Sequence, residues 1–161
     1  MKITLREQKI SEAKYFYKIL SNPNFKYFTA RPISVAAEQK WMKQNPTKIN
    51  FQYNYSIIFK DQIVGGCGIK INQHRKHIGE IGYFVDEAHW GKGIAPIAVK
   101  LLEKIAFKEL KLRRIEILTH PNNKASKRVA VKCGYHKEGT LKKVIEHKKG
   151  FWDAHIYAKV R

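Results

Sequence analysis

Between Glu80 and Pro96 the chain reads Glu-Ile-Gly-Tyr-Phe-Val-Asp-Glu-Ala-His-Trp-Gly-Lys-Gly-Ile-Ala-Pro. The apolar half of this stretch reads as a strand, and the residues after Pro96 read as an amphipathic helix. A glycine-rich turn joins them. Such a turn at a helix start aims several free backbone N–H groups at one point, with the positive end of the helix dipole behind them. That chemistry suits a diphosphate. Gly91 and Gly93 let the backbone come close to phosphate oxygens, since no Cβ stands in the way. Pro96 lies in the first helical turn, where its missing N–H costs little.

Two other glycine-rich phosphate loops do not fit. A P-loop needs Gly-x-x-x-x-Gly-Lys-Ser/Thr, and no such run is present. A dinucleotide fingerprint needs Gly-x-Gly-x-x-Gly in an early βαβ unit. Here Pro96 takes the third glycine's place, and three strand candidates precede the loop. Val85 to Ala95 instead resembles the acetyl-coenzyme A loop of the GNAT acetyltransferases, usually Gln/Arg-x-x-Gly-x-Gly/Ala. Trp90, Gly93 and Ala95 occupy those positions, with Trp90 departing from the Gln/Arg pattern. Trp-Gly-Lys-Gly is similar to the branch that acetylates N-termini of ribosomal proteins (RimJ/RimL-like). Asn122-Asn-Lys-Ala-Ser-Lys-Arg-Val-Ala-Val-Lys-Cys-Gly-Tyr resembles a second motif of that branch, Asn-x-x-Ser followed by Lys-x-Gly-Phe/Tyr. Gly150-Phe-Trp-Asp153 and Tyr157 supply a third match. The resemblance runs from Ile3 to Val160.

The resemblance implies an acetyl-CoA-dependent N-acetyltransferase acting by direct attack in a ternary complex. The acetyl-CoA loop would comprise Trp90, Gly91, Lys92, Gly93, Ile94, Ala95 and Pro96, with Phe84 and Val85 offering backbone groups to pantetheine. Asn123 would bond the pantetheine amide, while Asn122 could instead cap the helix. Lys127 and Arg128 would meet phosphates. Glu80 matches a carboxylate position used as a base through water, and Ser126 matches a serine near the coenzyme A sulfur. Tyr135 is a second acid candidate, with a core role as its alternative. Amide formation from a thioester needs these parts: a deprotonated amine, a polarised carbonyl and a protonated leaving thiolate. No metal is expected. His74, His77 and Cys67 lack the paired spacing of a metal site, and His120 with Cys133 lacks a third member for nucleophilic catalysis.

These residues need a scaffold. The sequence predicts strands over residues 3–5, 53–59, 63–71, 77–85, 114–119, 135–146 and 151–160. It predicts helices from Ser11 to Leu20, Ser34 to Gln44, Gly91 to Leu110 and Lys124 to Cys133, with Ser11 and Ser34 as N-caps. Gly65, Gly66 and Gly68 signal a bulge or close packing in their strand. Residues 25–32 read as an aromatic connector; the segment from Tyr27 to Trp41 falls where the family places its acceptor side. The fold expected is α+β: a single GNAT domain over residues 1–161, whose twisted, mostly antiparallel sheet has splayed central strands and flanking helices.

At 161 residues, 43% hydrophobic, the chain can bury one substantial core. No apolar run reaches the length of a membrane span, and no secretory leader is visible, so a cytoplasmic protein without a membrane partner is expected. Cys67 and Cys133 read as buried thiols. The net charge is +19, from 32 Lys and Arg against 13 Asp and Glu. Such a field attracts polyanions and repels polycations. It suits ribosome or RNA association as readily as a general basic bias. The acceptor expected is an amine, foremost a protein N-terminus, with a ribosomal protein among the candidates; a small amine such as an antibiotic or diamine is the rival. A non-catalytic RNA- or ribosome-binding module on the same fold is the reading from another class. Either a monomer or a homodimer is compatible with the chain.

Overall fold

The computed structural model describes residues 1–161. Seven strands form one sheet: β1 (Ile3–Glu7), β2 (Gln52–Phe59), β3 (Gln62–Ile71), β4 (Ile78–Val85), β5 (Arg114–Thr119), β6 (His136–His147) and β7 (Gly150–Val160). Their order is β1-β2-β3-β4-β5-β7-β6. Every neighbouring pair is antiparallel except β4 with β5. Four helices flank the sheet: α1 (Ala13–Leu20), α2 (Val35–Gln44), α3 (Ile94–Lys104) and α4 (Lys124–Lys132). The α+β architecture with a mostly antiparallel sheet agrees with the sequence reading.

Alternation along β4 divides the interior in two. Ile81 and Val85 point to the larger core, where they meet Ile94, Ala98, Val99 and Leu102 of α3 and Ile115 and Ile117 of β5. Phe84 points the other way, to a smaller cluster of Ala13 and Phe16 from α1 and Met42 from α2. Gly66 makes room for Phe84: a Cβ there would stand 2.7 Å from the ring. Close packing thus accounts for this glycine. The bulge also exists, because Ile57 faces Gly65 while Ile58 faces Ile63, leaving Val64 as the extra residue.

Two local expectations need correction and one holds. Ser34 does cap α2, accepting from the Ala37 N–H at 3.0 Å. Ser11 caps nothing; it lies in a 3₁₀ turn that runs directly into α1. The buried Glu12 organises that entry instead. Its carboxylate accepts from the Lys9 N–H (3.1 Å) and the Ser56 hydroxyl (2.6 Å) and pairs with Arg6. Periodicity could not reveal this, because Ser56 lies 44 positions away. The long helix is also shorter than expected. α3 ends at Lys104 and widens into a π turn over Ile105–Glu109, closed by Leu110 N–H to Ile105 O at 2.9 Å.

Candidate active site

The central sheet opens where the glycine loop begins. β4 and β5 pair only through Ile78–Arg114, Gly79–Ile115 and Glu80–Glu116. Beyond Glu80, β5 continues with β7 alone. The last five residues of β4 therefore have no neighbour on that side. The Asp86 N–H donates to Val64 O on the β3 side at 2.8 Å, whereas His77 O accepts from the Arg113 N–H on the β5 side at 2.9 Å. Alternation from both bonds turns the backbone of Glu80, Gly82 and Phe84 to β3, and that of Ile81, Tyr83 and Val85 to the gap. Phe84 thus cannot offer backbone groups to a ligand in the gap, contrary to the sequence expectation; Tyr83 takes its place beside Val85. Phe84 contributes its ring, which packs edge-on against Phe16, Phe25 and Phe28.

Trp90 holds the loop in register. Its indole N–H donates to Val85 O at 2.6 Å, and its ring packs edge-on against Phe25. Val85 keeps only its N–H for the gap. Asn22 and Asn24 both donate to the Glu87 carboxylate, at 2.5 and 2.7 Å, fastening the connector after α1 to the same turn. Gly91 (φ 75°) and Gly93 (φ 76°) are both left-handed, and a Cβ on either would meet no protein atom within 4 Å. Backbone conformation, not crowding by the protein, therefore selects glycine here, and the open space is free for a ligand. Gly93 is the N-cap of α3, so the free N–H groups of the first turn face the opening.

A groove of about 480 Å³ runs along this loop, lined by Tyr83, Phe84, Val85, Trp90, Gly91, Gly93, Ile94, Ala95 and Pro96 on one side. Asn123, Lys124, Ser126 and Arg128 line the other side. Lys92 and Lys127 lie outside it; the Lys92 ammonium donates to Ala88 O at 2.9 Å. Lys124, absent from the sequence reading, joins Arg128 as a cation facing the groove. Asn123 is the N-cap of α4, its Oδ1 accepting from the Ser126 N–H at 3.0 Å. Asn122 is therefore not the cap, and Asn123 retains only its amide hydrogens for a ligand. The Ser126 hydroxyl lies 3.0 Å from the Tyr83 hydroxyl. Burial, only partly offset by that hydrogen bond, pushes the Tyr83 phenol up to about 12, so it stays protonated at neutral pH. Tyr83 escaped the sequence reading because it looks like one more apolar residue of a buried strand.

A second groove, of about 590 Å³, lies beyond Tyr83. Phe28, Tyr83 and Phe84 line both. Glu80, Lys70, Gln8, Arg31, Glu38 and Trp41 are among the walls of the second. Glu80 sits between Lys70 on β3 and Glu116 on β5. Its surroundings raise its pKa above the usual carboxylate value, mainly by desolvation; Lys70 pulls it down and Glu116 pushes it up. Lys70 forms no salt bridge with it, and Arg114 holds Glu116 and Glu138 instead. A carboxylate that is unpaired, partly desolvated and reachable from a groove can accept a proton.

The other candidates fall elsewhere. Tyr135 is buried in the larger core, away from both grooves, so it cannot act as the acid. Cys67 and Cys133 are buried free thiols, and burial raises both. His74 and His77 are exposed and share no ligand cluster with Cys67. His120 stacks on Tyr27 with ring centroids 4.6 Å apart, not on Cys133. No helix is long and apolar enough to cross a membrane.

Residues 2–136 match the acetyltransferase (GNAT) domain family. The chain is 30% identical over 166 residues to the uncharacterized N-acetyltransferase p20 of Bacillus licheniformis, covering 99% of this chain and 93% of that protein. It is 31% identical over 105 residues to the ribosomal-protein-serine acetyltransferase of Escherichia coli (strain K12), covering 65% of this chain and 59% of the relative. Among solved structures, the microcin C7 self-immunity acetyltransferase MccE, in complex with acetyl-CoA and AMP, superposes with a TM-score of 0.86 at 25% identity. That superposition covers 99% of this chain and 93% of MccE.

Proposed function

This chain belongs to the GNAT acetyltransferases and is an acetyl-CoA-dependent N-acetyltransferase, and we propose that its acceptor is the free amine of a protein N-terminus. The junction of two grooves at Phe28, Tyr83 and Phe84 carries the reading. The groove along Gly91–Pro96 has the free amides and cations for a diphosphate and the unpaired strand edge for pantetheine. The groove beyond it has the Glu80 carboxylate for a base and shares only Phe28, Tyr83 and Phe84 with the first. Two substrates can then meet at β4 without an acyl-enzyme. The similarity to a ribosomal-protein-serine acetyltransferase supports a protein acceptor, and the +19 charge suits a ribosomal setting.

In this mechanism Glu80, through a water, takes a proton from the incoming ammonium. The neutral nitrogen attacks the thioester carbonyl, with the Val85 N–H available to the oxyanion. The C–N bond forms, the nitrogen gives up its second proton to solvent water, the C–S bond breaks, and the thiolate takes its proton from the Ser126 hydroxyl. Tyr83, 3.0 Å behind it, can return a proton to Ser126 and regain its own from solvent. Holding both substrates in one geometry supplies much of the acceleration, since thioesters already react with neutral amines. The test measures free thiol while the protein is incubated with acetyl-CoA and either peptides with a free α-amine or small amines. Thiol release with peptides is the expected result. Release with small amines alone would overturn the protein-acceptor reading.

A further inference from the structure

Glu38 has no side-chain partner in the fold beyond the N-terminal end of its own helix. It sits on the first turn of α2, beside Ala37 and Trp41 on the wall of the acceptor groove, and is only 7% exposed. Its carboxylate takes part in no salt bridge, and its own burial holds its pKa above the usual carboxylate value. Two cations line the same groove without serving it. The Arg31 guanidinium donates to Phe25 O, and Lys70 faces Glu80 across the β3–β4 pair. A desolvated carboxylate without a partner costs free energy that folding does not recover. A cation arriving in the groove would supply the missing partner, and an acceptor filling the groove would displace the water that screens the attraction.

We propose that Glu38 recognises a second positive group on the acceptor, separate from the amine that is acetylated. This rests on the second groove being the acceptor groove. Glu80 serves the reacting nitrogen, and Glu38 binds a guanidinium or ammonium further along the same molecule. The exposed edge of Trp41 and the ring of Phe28 flank the path of its aliphatic stem. The substrate class is thus a dicationic acceptor: an N-terminal peptide with a basic residue close behind its α-amine. The overall positive charge does not oppose this, because the field that matters is that of the groove wall.

The test uses the full chain, acetyl-CoA and short peptides carrying arginine or its neutral isostere citrulline at the second, third or fourth position. With the unaltered protein, arginine should lower KM at least about tenfold relative to citrulline at one of these positions, as expected for a charge-assisted hydrogen bond. In Glu38→Gln that ratio should collapse toward one, and Glu38→Asp should restore part of it. No arginine preference at any position, or a preference that survives Glu38→Gln, overturns the proposal. If no peptide is acetylated, the protein-acceptor reading fails separately. The ratio of KM for butylamine to that for 1,4-diaminobutane, in both proteins, then decides the role of Glu38 by the same criterion.

Discussion

Replacing Gly93 separates the cost of backbone strain from the loss of the diphosphate site. The residue is left-handed at φ 76°, and a side chain there would meet no protein atom within 4 Å. Gly93→Ala therefore adds strain without a clash, about 1–2 kcal/mol. For a domain of this size that lowers Tm by about 2–8 °C. Gly139 provides the control: its surroundings are also open, and its φ is not left-handed. Gly139→Ala should change Tm by about 2 °C at most. Gly93→Glu carries the same strain and adds a negative charge beside the diphosphate. At roughly 5 Å and an effective dielectric near 20, each unit of ligand charge then costs about 3 kcal/mol, a loss of about a hundredfold in affinity. Calorimetry with coenzyme A and thermal denaturation of the same samples read the two effects independently. Coenzyme A affinity in Gly93→Glu within about threefold of the unaltered protein would refute the assignment of the loop, whatever the Tm.

Glu80 gives a pH signature. As a base it must be deprotonated, so kcat/KM should fall as pH drops through its raised pKa, and Glu80→Gln should abolish that limb. The folded protein holds this proton at a pH where the unfolded chain has lost it, so folding is penalised above the unfolded value. Glu80→Gln should accordingly leave Tm at pH 7 unchanged or raised; a clear drop would mean a stabilising partner exists. Ser126→Ala should reduce kcat more than coenzyme A affinity with little change in Tm, since Asn123 performs the capping; Asn123→Ala should cost about 1 kcal/mol of stability in chemical denaturation. Trp90→Phe keeps the ring but removes the 2.6 Å bond to Val85 O, and should weaken coenzyme A binding in calorimetry by releasing the loop from β4.

Features written in local sequence were legible. The glycine loop, the Ser34 cap and the strand carrying Glu80 are all set by composition, capping and periodicity over a few residues. The missed features depend on distant partners. Glu12 gains its role only when Ser56 is brought to it. Glu38 stands in the first turn of its helix, where the helix dipole favours an acid, and only the folded chain leaves it 7% exposed on a groove wall. The apolar pattern of β4 marks which side chains are buried, yet which backbone edge is left unpaired depends on where β5 departs. That departure turns the backbone of Tyr83, not that of Phe84, to the gap. Asn122 and Asn123 are both sound caps by type, and only the actual helix start chooses between them.

The parting of β4 from β5 after Glu80 makes the sheet mechanically discontinuous through its middle. An acyl carrier lying in that gap would act as a borrowed strand, joining the β1–β4 half to the β5–β7 half through its own amides. The co-substrate would then be a structural brace as well as a reagent. Departure of the spent carrier would loosen the very seam against which the next acceptor must be aligned.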